Sequence, residues 1–251
     1  MAGLPSRGEV GRVRLAALVS GGKDSVFSAY LCETHGWSVE ELLTLFPSES
    51  DSMLFHTPNL SCVPLLAKAW GKRFVRGEVH GTGEPAELQA LVEAFSGVAE
   101  RGLDGVVVGA IQSTYQWSRV WQAAHQTGTQ IFAPLWRASQ PEVLREMISA
   151  GIDARIVSVA SEPLTEELLD RRIDEALLEH LTQLSSSVRE FNVSGEGGEY
   201  ESLVVDAPFL DSRIEFVRSH IYRSGTQATL MVEEAELVPQ GGRPRNLLPG
   251  R

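Results

Sequence analysis

The sequence predicts an α/β protein, a doubly wound parallel sheet followed by a second, smaller α+β domain. Three observations point there. Up to about residue 135, short apolar runs alternate with amphipathic helical patterns, the order that lays down a parallel sheet with helices on both faces. Residues 105–109, GVVVG, are apolar without alternation, as in a strand buried on both sides. Beyond Leu135, helices mix with strands of alternating polarity, such as Arg213-Ile214-Glu215-Phe216-Val217.

Each element has a local reason. Arg14 to Val19 is a short apolar strand ending in a glycine-rich turn, and Val26, Phe27, Tyr30 and Leu31 then mark one face of a helix. Leu42 to Phe46 reads as the second strand, Asn59 to Trp70 as a helix, Phe74 to Val79 as a strand and Pro85 to Glu100 as an amphipathic helix. After the buried strand at 105–109, Ser113 stands where a helix N-cap belongs and Gly128 where that helix would close. Ile131 to Ala133 completes the set, so the first domain is expected over 12–135. The second, over 136–240, should hold a helix from Pro141 to Ala150, a strand from Ala154 to Val159 and a long helical stretch from Glu166 to Gln183. A Gly- and Glu-rich turn then feeds a strand ending near Asp206, and strands follow within 213–238. The tail from Gly241 is expected to fray.

Composition narrows the function. With 251 residues, 43% hydrophobic and 22% charged, the chain can bury a substantial core. Its formal net charge of −11 disfavours a large nucleic-acid footprint, which needs a basic face. Cys32 and Cys62, far apart and without clustered partners, suggest a reducing compartment and neither a disulfide framework nor a metal site. No apolar run approaches the ~18 residues of a membrane span, and the first residues lack the apolar core of a signal peptide. A cytoplasmic enzyme is the expectation.

Residues 20–25, Ser20-Gly21-Gly22-Lys23-Asp24-Ser25, are the most informative stretch. A phosphate cradle needs backbone N–H groups aimed at the anion, glycines for close approach and a helix N-terminus behind; this segment offers all three, with Lys23 as a point charge. A Walker A loop would need Gly at 17 and Ser or Thr at 24, where Ala17 and Asp24 stand. The run is similar to the SGGxDS fingerprint of the PP-loop ATP pyrophosphatases, which follows the first strand of a Rossmann-like sheet. That resemblance implies that ATP is cleaved between the α- and β-phosphates, with the loop gripping pyrophosphate. Magnesium can ride on the phosphates and needs no dedicated protein cage. In a doubly wound sheet, ligands bind beyond the carboxyl ends of the strands, so residues 20–25 and 110–119 should face one crevice.

Three further stretches narrow the substrate: residues 53–59, MLFHTPN; residues 109–120, GAIQSTYQWSRV, followed by Ala133-Pro134-Leu135-Trp136; and residues 195–202, GEGGEYES, followed by Asp206-Ala207-Pro208. Together with residues 20–25 they resemble the diphthine–ammonia ligase family, over about residues 14–215. Ser202 departs from the family's usual Thr, and Arg137-Ala138-Ser139-Gln140 from a more charged run. The resemblance implies ammonium joined to the carboxylate of diphthine on translation elongation factor 2, with AMP and pyrophosphate released. It places the nucleotide on Ser20, Gly21, Gly22, Lys23, Asp24, Ser25, His56 and Gly109. It places the substrate on Gln112, Ser113, Tyr115, Gln116, Trp117, Trp136, Glu196, Gly197, Gly198 and Glu201.

The residue types fit such work. Diphthine carries a trimethylammonium group, which aromatic faces and carboxylates hold well. Tyr115, Trp117, Trp121, Trp136 and Tyr200, with Glu196, Glu199 and Glu201, are candidates for such a pocket. Lys23, Asp24, Arg119 and Glu199 are the expected catalytic groups, Arg119 for a phosphate or carboxylate and Glu199 for polarising or deprotonating ammonium. Blander readings stand beside these: Trp117 and Trp121 as core, Arg119 as a surface ion pair, His56 as a helix cap and Gly197-Gly198 as a tight turn. No glutaminase-like cysteine is evident, so free ammonium is the simpler nitrogen donor. A related ligase acting on another carboxylate, or a nucleotide-binding module without turnover, remains open at this point.

Overall fold

The computed structural model describes residues 12–47, 59–160, 162–189 and 191–240. Strands β1 (Arg14–Leu18), β2 (Ser38–Pro47), β3 (Arg73–Val79), β4 (Gly105–Val107) and β5 (Gln130–Phe132) form a parallel sheet in the order β3-β2-β1-β4-β5. The chain winds outward from β1 to β3 and then returns to place β4 on the other side of β1. The carboxyl ends of β1 and β4 thus form the switch point where a crevice opens.

Burial on both faces explains the apolar strands. Leu15 and Ala17 of β1 pack with helices α1 (Lys23–Thr34) and α2 (Val63–Trp70). Ala16, with Val106 of β4, packs with α3 (Gly83–Glu100) and α4 (Thr114–Thr127) on the opposite side. The α1/α2 side continues without a break into the second sheet: Leu203, Val204 and Ile156 belong to the same buried cluster as Phe27 and Leu66. That sheet contains β6 (Asp153–Val159), β7 (Tyr200–Asp206), β8 (Ser212–Ser224) and β9 (Gln227–Pro239) in the antiparallel order β7-β6-β9-β8, flanked by α5 (Gln140–Ser149) and α6 (Glu175–Ser187). The doubly wound sheet with a smaller α+β partner is therefore present.

The expected ends of α4 are both found. Ser113 Oγ accepts from Gln116 N at 3.3 Å, and Gly128 closes the helix in the left-handed region at φ 69°. Two expectations need correction. The helix expected from Asn59 begins as a 3-10 turn at Leu60–Cys62, and α2 starts at Val63 with Pro64 in its first turn, the one place a helix accepts proline without loss. Buried Asn59 sits at φ 66° because its side chain bonds Leu230 O and Val232 N of β9, each at 2.8 Å. The long helix expected from Glu166 to Gln183 is also broken. After a turn at Leu168, the chain runs beside β6, exchanging Asp170 N→Ile156 O, Ile156 N→Arg171 O and Ile173 N→Ala154 O bonds. Asp174 then caps α6 by accepting from Leu177 N at 2.9 Å. Pairing with a buried strand outweighs the helical pattern of residues 169–174.

Candidate active site

Residues 20–25 lie at the end of β1 and lead into α1. Gly21 adopts φ 84°, which a side chain resists, and a Cβ there would lie 2.9 Å from Leu203 Cδ1. The loop ties itself down: Ser25 Oγ donates to Gly22 O at 2.9 Å, and Gly22 N donates to Ser20 Oγ at 3.4 Å. It is also fastened to the free edge of β7, since Val204 N donates to Gly21 O at 2.9 Å and Lys23 N to Ser202 Oγ at 3.2 Å. The phosphate-type loop of the first sheet thus extends the edge of the second. Gly109, just past β4, lies flat against the first turn of α1, and a Cβ there would sit 2.6 Å from Ser25 N.

Lys23 is not the free point charge that its sequence position suggests. It is 3% exposed, and its ammonium donates to Asp24 Oδ2 at 2.8 Å and to Ser194 O, while facing the Tyr200 ring at 5.0 Å. Burial opposes its charge, but Asp24, then Tyr200 and Glu196, more than compensate and hold it protonated. Burial likewise pushes the Asp24 carboxyl up, with Lys23 holding part of that rise back. Asp24 Oδ1 and Ser194 Oγ are buried without a hydrogen-bond partner among the described residues, so both have unused bonding capacity.

These groups border a cavity of about 750 Å³, lined from the first sheet by Ser20, Gly22, Lys23, Asp24, Ser25, Gly109, Ser113, Tyr115 and Gln116, and from the second half by Ser194 to Gly198, Tyr200, Glu201 and Ser202. Glu196 joins the two sides, accepting from Ile111 N at 2.6 Å and Gln112 N at 2.5 Å. Burial raises its pKa, and these two bonds pull it back. Glu199 is turned into its own loop, accepting from Asn192 N and Nδ2 at 2.8 Å and from Gly197 N at 2.9 Å, and does not border the cavity. Glu201, two residues on, does. Burial pushes its carboxyl up to about 7, with Lys23 opposing.

Tyr115 borders the cavity, and the remaining expected residues lie around it. Tyr115 Oη donates to Glu87 Oε2 at 3.2 Å; Arg119 lies over the Tyr115 ring at 4.9 Å, pairs with Glu84 and leaves its buried Nε without a partner. Gln112 bonds Ala138 O at 3.2 Å and Gln140 at 3.1 Å. Trp117 and Trp136 stack on each other, 4.4 Å apart, and neither lines the cavity; Trp121, 55% exposed, stacks on His125. Of the expected aromatics, only Tyr115 and Tyr200 face it. His56 lies outside the described residues. Sequence reasoning missed Ser194, Thr44 and Gln227 on the lining. Ser194 directly precedes the glycine-rich motif, whereas Gln227 has no sequence signal and arrives through the pairing of β6 with β9.

With this geometry in place, similarity to known proteins becomes informative. Residues 13–131 match the family model of the diphthamide synthase N-terminal domain, and residues 139–238 that of its C-terminal domain. The diphthine–ammonia ligases of Mus musculus and Homo sapiens are each 34% identical, over 80% of this chain and 82% of the relative. The chain belongs to the diphthine–ammonia ligase family. Among solved structures, a U34-tRNA thiolase from Methanococcus maripaludis is similar at 14% identity and a TM-score of 0.36, covering 74% of this chain and 70% of that one. Ser202 supplies the hydroxyl that receives Lys23 N. No helix among the described residues is long and apolar enough to cross a membrane.

Proposed function

We propose that this protein converts diphthine on translation elongation factor 2 to diphthamide, spending ATP and ammonium and releasing AMP and pyrophosphate. The observation that carries this reading is the single cavity that both family motifs border, residues 20–25 from one sheet and residues 194–202 from the other. Its volume of about 750 Å³ falls within the range of ligand sites, roughly 300–1,000 Å³. The relatives from Mus musculus and Homo sapiens are diphthine–ammonia ligases, which join ammonia to diphthine.

The chemistry follows from the difficulty of the reaction. A carboxylate is a poor acyl donor because it would have to expel oxide. Attack by its oxygen on the α-phosphorus of ATP makes an acyl-adenylate, from which AMP leaves readily. The loop amides at 20–25 hold the departing pyrophosphate, with the N-terminus of α1 favouring its charge. Gly109 lets the nucleotide site close against α1. Magnesium, when bound, would neutralise charge on the nucleotide phosphates and would need no dedicated protein cage.

Ser113, Tyr115, Gln116, Glu196, Gly197, Gly198 and Glu201 border the substrate end, where Glu196 and Glu201 supply negative charge for the trimethylammonium group. Lys23 contributes by fastening the 194–202 segment to the phosphate loop, and Glu199 by shaping that segment. Arg119, Gln112, Trp117 and Trp136 support α4 and its neighbours. In this division of labour, 12–135 serves the nucleotide and 136–240 the substrate.

The test is to incubate the protein with ATP, ammonium and diphthine-bearing elongation factor 2. The expected result is AMP in step with replacement of a hydroxyl by an amino group on the factor, read by mass spectrometry. AMP without a change on the factor would point instead to a ligase for another carboxylate. Absence of AMP would leave a nucleotide-binding module.

A further inference from the structure

We propose that Glu201 is the base that takes a proton from ammonium, freeing ammonia to attack the activated carboxylate. This rests on the ligase reading above and assigns a catalytic residue within it. Ammonium is almost wholly protonated at neutral pH and has no lone pair to offer, so the enzyme needs a negative group that first attracts the cation and then accepts its proton.

Three carboxylates border the cavity, and geometry separates them. Glu196 is engaged by Ile111 N and Gln112 N, and losing its charge would loosen the contact between the two halves. Asp24 holds the buried Lys23. The Glu201 carboxylate has no hydrogen bond or ion pair among the described residues, although it sits at the start of β7 beside the phosphate loop. Glu199, the other acid of the motif, is consumed by Asn192 and Gly197.

The surroundings of Glu201 suit a base that works near neutrality. Its cross-strand partner on β6 is Ser158, whose hydroxyl accepts from Gln227 of β9, and both are neutral. Lys23 of α1 is the one charged group that acts on its titration, and it works against burial. The net value of about 7 leaves the carboxylate substantially ionised at pH 7 and still basic enough to accept a proton.

An N–H bond of ammonium breaks and its proton moves to the Glu201 carboxylate. The freed lone pair forms the C–N bond at the acyl carbon, and the bond from that carbon to the phosphate oxygen breaks, AMP taking the electron pair. The second excess proton passes from nitrogen to water, and Glu201 returns its own to solvent.

The experiment compares ammonium with hydroxylamine, a nucleophile already neutral at pH 7, in wild type, Glu201→Gln and Glu199→Gln, with diphthine-bearing elongation factor 2 as acceptor. For Glu201→Gln we expect the ammonium rate to fall ~10²–10⁴-fold at pH 7 while the hydroxylamine rate falls far less. Glu199→Gln should lower both together. In the wild type alone, the ammonium rate should rise with ionisation of one group near pH 7, an inflection that the hydroxylamine rate lacks once it is corrected for that nucleophile's own protonation at lower pH; this arm holds even if the variant fails to fold. Equal losses for both nucleophiles in Glu201→Gln, or the same inflection with both, would overturn the base assignment. If the wild type consumes neither nucleophile on this acceptor, the ligase reading fails, and the assignment with it.

Discussion

The two halves contribute to one cavity by different means. The parallel sheet supplies main chain: Gly21 at a positive φ, Gly109 pressed on Ser25, and the N-terminus of α1. The antiparallel half supplies side chains: Glu196 spanning to Ile111 and Gln112, Tyr200 over Lys23, Ser202 on the loop, and Glu201 on the wall. Backbone suits an invariant ligand such as a polyphosphate, because N–H groups at a helix start need no particular side chain to bind it. Side chains suit a proton-transfer step, because only they titrate near neutrality. Substitutions in the two halves should therefore hurt in different ways.

Lys23 belongs to the first half by sequence and to the second by contact, so removing it should have the largest effect. Lys23→Met strips the partner from buried Asp24 and releases Ser194 O, and should cost about 3–5 kcal/mol in denaturant unfolding. A loss under about 1 kcal/mol would mean that the halves do not depend on this ion pair.

Next comes Gly109→Ala, which tests the main-chain half. The added Cβ would meet Ser25 N at 2.6 Å and Ser25 Cα at 2.7 Å, and backbone cannot step aside as a side-chain tip can. A loss of roughly 1–3 kcal/mol, together with weaker ATP binding by calorimetry, is expected. Unchanged nucleotide affinity would separate the strand end from the nucleotide site.

The side-chain half carries a pH signature. Because burial raises Glu201 to about 7, the folded protein keeps a proton that the unfolded chain has already lost above its ordinary glutamate value of about 4.3. Stability should therefore fall as pH rises between those values, by up to about 4 kcal/mol and by less to the extent that water screens the carboxylate. Asp24 and Glu196, raised by burial too, slope the same way. Glu201→Gln should flatten the curve and be more stable than wild type at pH 8; an unaltered slope would show that Glu201 is well solvated. The smallest effect should come from Trp121→Ala. Trp121 is 55% exposed and away from the cavity, so stability should stay within about 0.5 kcal/mol and AMP formation should be unaffected.

The same contrast explains what could be read from the sequence. Alternating apolar runs and helices specify a parallel sheet because both faces must be covered, and Ser113 and Gly128 mark α4 through local geometry alone. The glycines at 21, 22 and 109 were legible for the same reason, since their meaning is local. The break at 169–174 was not, because its cause is pairing with β6, invisible to helical periodicity. Nor could sequence reveal where Lys23 points, since its acceptor Ser194 O lies 171 residues away. Glu199 and Glu201 look equivalent in the motif; the hydrogen bonds from Asn192 and Gly197 to Glu199 distinguish them.

A structure with a non-hydrolysable ATP analogue is the decisive measurement. The β- and γ-phosphates should sit on the amides of residues 20–25, at the edge of β7, with the α-phosphorus open toward the cavity wall that carries Glu201. Phosphates seated away from that loop, or an α-phosphorus turned from residues 194–202, would contradict it.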